Sequence, residues 1–155
     1  MHISWKPFLI SIGISLFTGG LAGFLTQNSM EIYSQLNQPP LSPPGWIFPI
    51  VWTILYILMG ISSYPIYESN SPHKEKALTI YGWQLFFNFL WSIVFFNLRN
   101  IPLALAILVI LWILIVVMIK SFKKVSSLAA WLQIPYLLWV TFAGYLNLML
   151  LILNS

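Results

Sequence analysis

The sequence predicts an all-α membrane protein built as a bundle of five transmembrane helices. Hydrophobic residues make up 59% of its 155 residues and charged residues only 6%, against roughly 25% charged residues in soluble domains. The few charges lie far apart and leave long uncharged stretches between them, namely residues 7–30, 32–67, 77–98, 100–119 and 125–155. Each stretch reaches the roughly 20 residues that a helix needs to cross a bilayer.

Within these stretches we predict one domain, residues 1–155, with helices at about 7–26, 46–67, 78–97, 102–120 and 127–152. Pro102 suits the first turn of the fourth helix, and Ser126 or Ser127 can cap the fifth. Pro135 lies inside the fifth helix and is expected to kink it or to free a backbone carbonyl there. The proline-rich residues 39–45 cannot be helical and close the first connection, which is either a lid over the bundle or a plain linker.

The basic residues predict an orientation. Six lysines fall on the amino-terminal side of the predicted bundle, and Arg99 alone falls on the other side. The positive-inside rule then places the amino terminus inside, and the carboxyl terminus and the 27–45 loop outside. Since the chain starts without a recognisable presequence, a bacterial cytoplasmic membrane is the expected location.

Composition excludes several classes of function. The chain has no Cys and no Asp, and its three acids are Glu31, Glu68 and Glu75. It therefore lacks thiolate nucleophiles, carboxylate pairs and metal-ligand clusters, and its charge pattern does not suit nucleic acid. No ionisable residue falls in a predicted helix core, although ion-coupled transporters usually need one. We expect no metal and no tightly bound cofactor, so any chemistry rests on Trp, Tyr, a bound ligand, light or oxygen.

Polar and aromatic side chains recur at helical spacing in three of the helices. The stripes are Trp52, Tyr56, Gly60 and Ser63; Gln84, Asn88 and Trp91; and Tyr136, Trp139, Ala143 and Asn147. Amides in hydrocarbon need partners, so these stripes should face inward. Either they hold the bundle together, or they line an intramembrane pocket for a flat apolar ligand. In the first helix, Gly19 and Gly23 form a small-residue motif that predicts either a homodimer seam or a close approach within the chain.

The same stripes carry a resemblance to a known family. The most specific segments are PPGWIFP and VWTILY within residues 43–56, QLFFNFLW at 84–91, and PYLLW at 135–139 followed by Leu146-Asn147. With these motifs in order on three helices, the chain resembles the translocator protein family over roughly residues 7–150. Members are also called tryptophan-rich sensory proteins or peripheral benzodiazepine receptors.

The resemblance implies a five-helix bundle, often a homodimer, with an aromatic pocket under the first loop. Family members bind porphyrins, notably protoporphyrin IX, and synthetic benzodiazepine-type ligands. Bacterial members are associated with light- and oxygen-dependent porphyrin breakdown and with tetrapyrrole or stress regulation. Matched to this sequence, the ligand-binding positions are Tyr33, Trp46, Trp52, Asn88, Trp139, Ala143 and Asn147. Among them, Trp52 and Trp139 are the candidate reactive, or catalytic, pair.

Two departures from the family pattern stand out. Tyr145 is followed by no Lys or Arg up to Ser155, so the carboxyl-terminal cholesterol motif of animal members is incomplete and sterol transport is in doubt. Phe89 stands where the family usually has Trp, which we expect to matter little.

Three functions follow as hypotheses. The first is a porphyrin-binding membrane protein that promotes light- and oxygen-dependent degradation of protoporphyrin IX, which serves as ligand or substrate. The alternative is a non-enzymatic tetrapyrrole or lipid carrier, or a sensor that regulates tetrapyrrole or stress responses. The third is a structural membrane protein without a ligand. The expected partners are a flat apolar small molecule, membrane lipid and a second copy of the chain.

Overall fold

The computed structural model describes residues 3–27 and 40–154, and the regular elements in these ranges are all helical. They are α1 (Trp5–Thr26), α2 (Ile47–Tyr67), α3 (Lys74–Ser92), α4 (Ile101–Lys123), α5 (Ser127–Leu132) and α6 (Ile134–Leu153). A π-helical turn, Ile93–Asn97, continues α3 without a break. Within the described ranges, five spans are long and apolar enough to cross a membrane, the fifth consisting of α5 and α6 together. The predicted all-α bundle of five spans is confirmed.

The third span begins earlier than its uncharged stretch. The sequence places its start near residue 78, whereas α3 begins at Lys74. Lys and Glu are good helix formers, and Glu75 in the first turn is favourable at the positive end of the helix dipole. The charge gap therefore marks the part of the helix that suits hydrocarbon, and the helix itself extends further.

The fifth span is broken where the sequence predicts a kink. Ser126 caps α5, its Oγ accepting a hydrogen bond from the backbone N–H of Ala129 at 3.2 Å. The helix ends at Leu132, and α6 starts at Ile134, just before Pro135. Proline has no N–H to donate to the preceding turn. The interruption at Gln133 is its direct consequence.

The spans form a closed ring. Going round it, α1 packs against α2, α2 against α5, the fifth span against α4, α4 against α3, and α3 against α1. Because successive spans alternate in direction, all lysines lie at one end of the ring, which we name the lysine end: Lys6, Lys74, Lys76, Lys120, Lys123 and Lys124. The opposite end, which carries Gln27, Gly45 and Arg99, is the loop end.

The crossing of α1 and α2 is very close in the half nearer the lysine end. A Cβ atom on Gly60 would collide with the backbone of Ile12 and with the side chain of Ser15. The Ser15 hydroxyl donates to the Tyr56 carbonyl oxygen at 2.6 Å. Glycine permits this approach because it has no side chain to separate the two backbones.

Candidate ligand-binding site

A buried polar network ties three spans together. The Tyr56 hydroxyl donates to Asn88 Oδ1, and Asn88 Nδ2 donates to the Tyr136 hydroxyl at 2.9 Å. That hydroxyl in turn donates to Gln84 Oε1 at 2.7 Å. All four residues are buried, and Gln84 and Asn88 share one face of α3 because they are four residues apart. The stripes therefore face inward, and Asn88 stabilises the contact between α2, α3 and α6.

A second polar contact joins α3 to α6 nearer the loop end. The indole nitrogen of Trp91 donates to Asn147 Oδ1 at 3.0 Å, and Asn147 Nδ2 donates to the Ile101 carbonyl at 3.2 Å. Asn147 is fully buried. Asn88 and Asn147 thus both use their amide groups to hold helices together, which is the first of the two interpretations of the stripes.

Trp52 is the centre of an aromatic cluster inside the ring. Its ring centroid lies 6.4 Å from that of Trp139, nearly perpendicular to it, and 6.4 Å from that of Trp91. Tyr56 and Tyr136 lie slightly closer to Trp52, with centroid distances of 5.7 and 6.3 Å. The two predicted reactive indoles, Trp52 and Trp139, are therefore in edge-to-face contact. The buried Trp139 Nε1 has no hydrogen-bond partner in the described ranges.

A cavity of about 600 Å³ lies between α1 and α2 towards the loop end. This volume is typical of small-molecule sites, which range over roughly 300–1,000 Å³. Its aromatic lining comes from three spans and consists of Phe24, Trp46, Phe48, Trp52, Tyr56 and Phe96. Flat rings on several sides suit a flat apolar guest, because such a guest gains contact area and ring–ring attraction together.

The α1 wall of the cavity is made of small residues. Gly20 and Gly23 line it, and a Cβ atom added to either would meet no atom of the described part of the chain within 4 Å. Gly19 is different, since a Cβ atom there would collide with the Tyr56 ring. Of the two alternatives for the glycine motif, the close approach within the chain describes Gly19, while Gly23 leaves space for the cavity.

Among residues 3–27 and 40–154, the cavity is open on the outer side of the ring. It extends from Trp52 and Tyr56 inside the ring to Pro49 and Thr53, which are exposed on the lipid-facing side of α2. Phe24 of α1 also lines it and is 68% exposed. The cleft between α1 and α2 therefore joins the interior aromatic cluster to the lipid-facing surface.

The predicted ligand-binding residues fall into three groups. Trp46, which is 66% exposed at the loop end, and Trp52 are on the wall of this cavity. Trp139 lies behind Trp52, and the remaining inward positions are buried in the packed side of the ring: Asn88, Ala143 and Asn147. Tyr33 lies outside the described residues.

Some cavity residues were not predicted from the sequence. Leu16 and Gly20 of α1 belong to it, as do Ser92 and Phe96 at the end of α3. The Gly19 motif drew attention to this face of α1, but only as a packing surface. Phe96 lies in the π-helical turn. This turn departs from the 3.6-residue spacing, so α-helical periodicity does not predict the direction of the Phe96 side chain.

Comparisons with known proteins agree with this architecture. The TspO/MBR family matches residues 11–153 of the chain. The tryptophan-rich sensory protein of Cereibacter sphaeroides is 34% identical, over 99% of this chain and 95% of the relative. The tryptophan-rich protein TspO of Chlorobaculum tepidum is 38% identical, over 94% of each chain. The translocator protein of Bos taurus is 33% identical, over 91% of this chain and 88% of its own. The chain is thus an integral membrane protein that belongs to the TspO/MBR family.

Proposed function

We propose that this protein binds a flat tetrapyrrole, with protoporphyrin IX as the expected ligand, in the cavity between α1 and α2. One observation carries the proposal, namely a cavity of about 600 Å³ whose wall holds six aromatic rings. Aromatic pairs contribute roughly 0.5–1.5 kcal/mol each beyond the burial of their area. A large planar macrocycle gains most from such a wall.

The expected consequence of binding is light- and oxygen-dependent degradation of the porphyrin. In that reaction the macrocycle absorbs the light and is oxidised, while molecular oxygen is the oxidant and is reduced. Trp52 lies on the cavity wall, and the Trp139 ring centroid is 6.4 Å away. Both indoles are oxidisable side chains, so we assign Trp52 the role of the reactive group beside the bound macrocycle and Trp139 that of a second reactive indole in contact with Trp52.

The proposed orientation places the lysine end on the inner side of a bacterial cytoplasmic membrane and the loop end on its outer side. This follows from the six lysines at one end and the single Arg99 at the other. The ligand carboxylates then remain near water at the loop end, because an unpaired carboxylate is costly in hydrocarbon. A second copy of the chain is the proposed protein partner. It would contact a surface that does not include Gly19, because Gly19 packs against Tyr56 within the chain.

A carrier or sensor is the second candidate, and the opening of the cavity favours it. Exposed Phe24 and Thr53 lie on the cavity wall, so the ligand has a short path to the bilayer. Such a site suits reversible exchange as well as turnover. The two candidates share the cavity and differ only in whether the bound ligand is changed.

The test uses purified protein in lipid nanodiscs titrated with protoporphyrin IX, in the dark and under light with oxygen. We expect saturable binding in the dark and a new absorption spectrum in the light. Replacing both Trp52 and Trp139 by Phe should reduce the product yield. The matched control is Trp131→Phe, which changes an indole that is 71% exposed and off the cavity wall.

Each outcome of this test has a definite meaning. Unchanged product yield in the double variant contradicts the roles given to the two indoles. Saturable binding without a product in the light identifies a carrier or sensor. Absence of saturable binding by the wild-type protein contradicts the proposed function as a whole and favours the structural hypothesis.

A further inference from the structure

We propose that the ligand enters and leaves the cavity sideways, from the hydrocarbon of the bilayer, through the cleft between α1 and α2. The inference rests on the proposed function and adds the route by which the site is filled. On this route the protein takes up ligand that is already dissolved in the membrane. It also assigns Gly20 and Thr53 to the two edges of the passage.

The cavity has a continuous wall from the interior to the lipid-facing surface. Trp52 and Tyr56 form its inner part, whereas Pro49 and Thr53 belong to the exposed side of α2. α1 and α2 are neighbours in the ring, so the outer side of the cleft between them faces lipid. A ligand that uses this route keeps its macrocycle in hydrocarbon throughout, while its carboxylates stay near water at the loop end.

The α1 edge of the passage is open because of its glycines. Gly20 is exposed and lines the cavity, and no atom of the described residues lies within 4 Å of a Cβ added there. Gly23, one turn nearer the loop end, has the same surroundings. Side chains of ordinary size at these positions would narrow the passage. They would do so without a collision at the Cβ atom, so such variants are expected to fold.

The passage closes towards the lysine end. Gly60 brings α2 against the backbone of Ile12, and the Ser15 hydroxyl bonds the Tyr56 carbonyl at 2.6 Å. The two helices are therefore fixed together at one end and separated at the other. This limits the opening to the half of the membrane that holds the aromatic wall.

A reversible crosslink across the cleft tests the route. The chain contains no cysteine, so Gly20→Cys with Thr53→Cys introduces the only two thiols. The protein in nanodiscs is loaded with protoporphyrin IX, crosslinked with a bifunctional thiosulfonate, and mixed with empty vesicles that accept released ligand. We expect release at least tenfold slower than before crosslinking, with the original rate restored by a reductant. Each single-cysteine variant, treated with a monofunctional reagent, is the control.

A second variant gives an answer without crosslinking. Gly20→Leu should slow both association and release of protoporphyrin IX several-fold, with a smaller change in the dissociation constant, because a narrowed route affects both directions. Gly13→Leu is the matched control, since Gly13 also lies on α1 in open surroundings but does not line the cavity.

The outcomes separate the route from the function. Wild-type exchange rates in both the crosslinked protein and Gly20→Leu, with normal equilibrium binding, would overturn the lateral route and leave the proposed function intact. Loss of affinity in Gly20→Leu without slower exchange would also overturn it, because the residue would then only fill the site. Failure of the wild-type protein to bind protoporphyrin IX contradicts the proposed function, and with it this inference.

Discussion

The two halves of the α1–α2 pair use small residues in opposite ways. Towards the lysine end, Gly60 permits backbone contact with Ile12, and Ser15 bonds across the interface. Towards the loop end, Gly20 and Gly23 line a cavity of about 600 Å³ between the helices, and an added Cβ at either would touch none of the described residues. The same residue type therefore closes the interface in one half and opens it in the other.

The difference shows that the effect of a glycine on helix packing in a membrane bundle depends on the atoms that it faces. A glycine that faces a backbone permits dense packing, which is the main attraction between helices in lipid. A glycine that faces open space leaves room that a ligand can occupy. Trp52 marks the boundary, since it neighbours Trp91 and Trp139 of the packed cluster and also lines the cavity.

The largest effect is expected from adding one methyl group to the closed half. Gly60→Ala should reduce the free energy of unfolding by about 3 kcal/mol, because backbone atoms of Ile12 cannot move aside as a side chain can. Gly20→Ala is the matched change in the open half. It should be neutral or stabilising by up to about 1 kcal/mol, as expected when Ala replaces Gly in an unobstructed helix.

Both variants can be compared by thermal unfolding in detergent, followed by circular dichroism. Equal stability changes for the two would contradict the distinction between the halves. An increase in stability for Gly60→Ala would contradict the close contact between α1 and α2 at Gly60.

The next effect concerns the packed side of Trp52. Asn88→Leu should destabilise the protein by about 2 kcal/mol, because it leaves the buried hydroxyls of Tyr56 and Tyr136 without their shared partner. Thr141→Val is the control, since it removes a bond to Trp112 on the exposed surface. It should cost no more than about 0.5 kcal/mol. If Asn88→Leu is as mild as the control in denaturant titrations, the network does not hold the ring together.

The smallest effect is expected at the rim of the open half. Arg99 lies three residues beyond Phe96 on the cavity wall, and the neighbouring Asn97 bonds the Leu25 carbonyl at 2.8 Å. Arg99→Gln should weaken protoporphyrin IX binding about threefold, since exposed ion pairs contribute roughly 0.2–1 kcal/mol. Binding of the dimethyl ester, which lacks the carboxylates, should not change. The same loss for both ligands, or an equal loss in Lys120→Gln at the lysine end, would contradict the assigned role.

The fold could be predicted from the sequence because hydrocarbon imposes a simple rule. Uncharged stretches of sufficient length become helices, and the predicted starts and ends lie within four residues of those observed, with the largest difference at Lys74. The break in the fifth span followed from Pro135 alone. Local chemistry determines each of these features, so no knowledge of neighbouring helices was needed.

The site was only partly predictable because it depends on distances between helices. The inward direction of Asn88 and Trp52 followed from periodicity, but the position of the empty space did not. Gly19 and Gly23 are alike in sequence, yet one touches the Tyr56 ring and the other faces the cavity. The separation of the helices there depends on the crossing at Gly60, and no sequence pattern within α1 predicts that crossing.

The π-helical turn at Ile93–Asn97 fixes the length of the chain at this point. In it, the backbone N–H of Leu98 reaches back five residues to the Ile93 carbonyl, at 3.0 Å. The wider turn accommodates an extra residue, and it directs Phe96 to the cavity and Asn97 to the end of α1. Deleting one residue here would restore regular winding and remove the wider turn on which the directions of Phe96 and Asn97 depend. Homologous chains that keep this cavity should therefore conserve the number of residues in this segment more strictly than their identities.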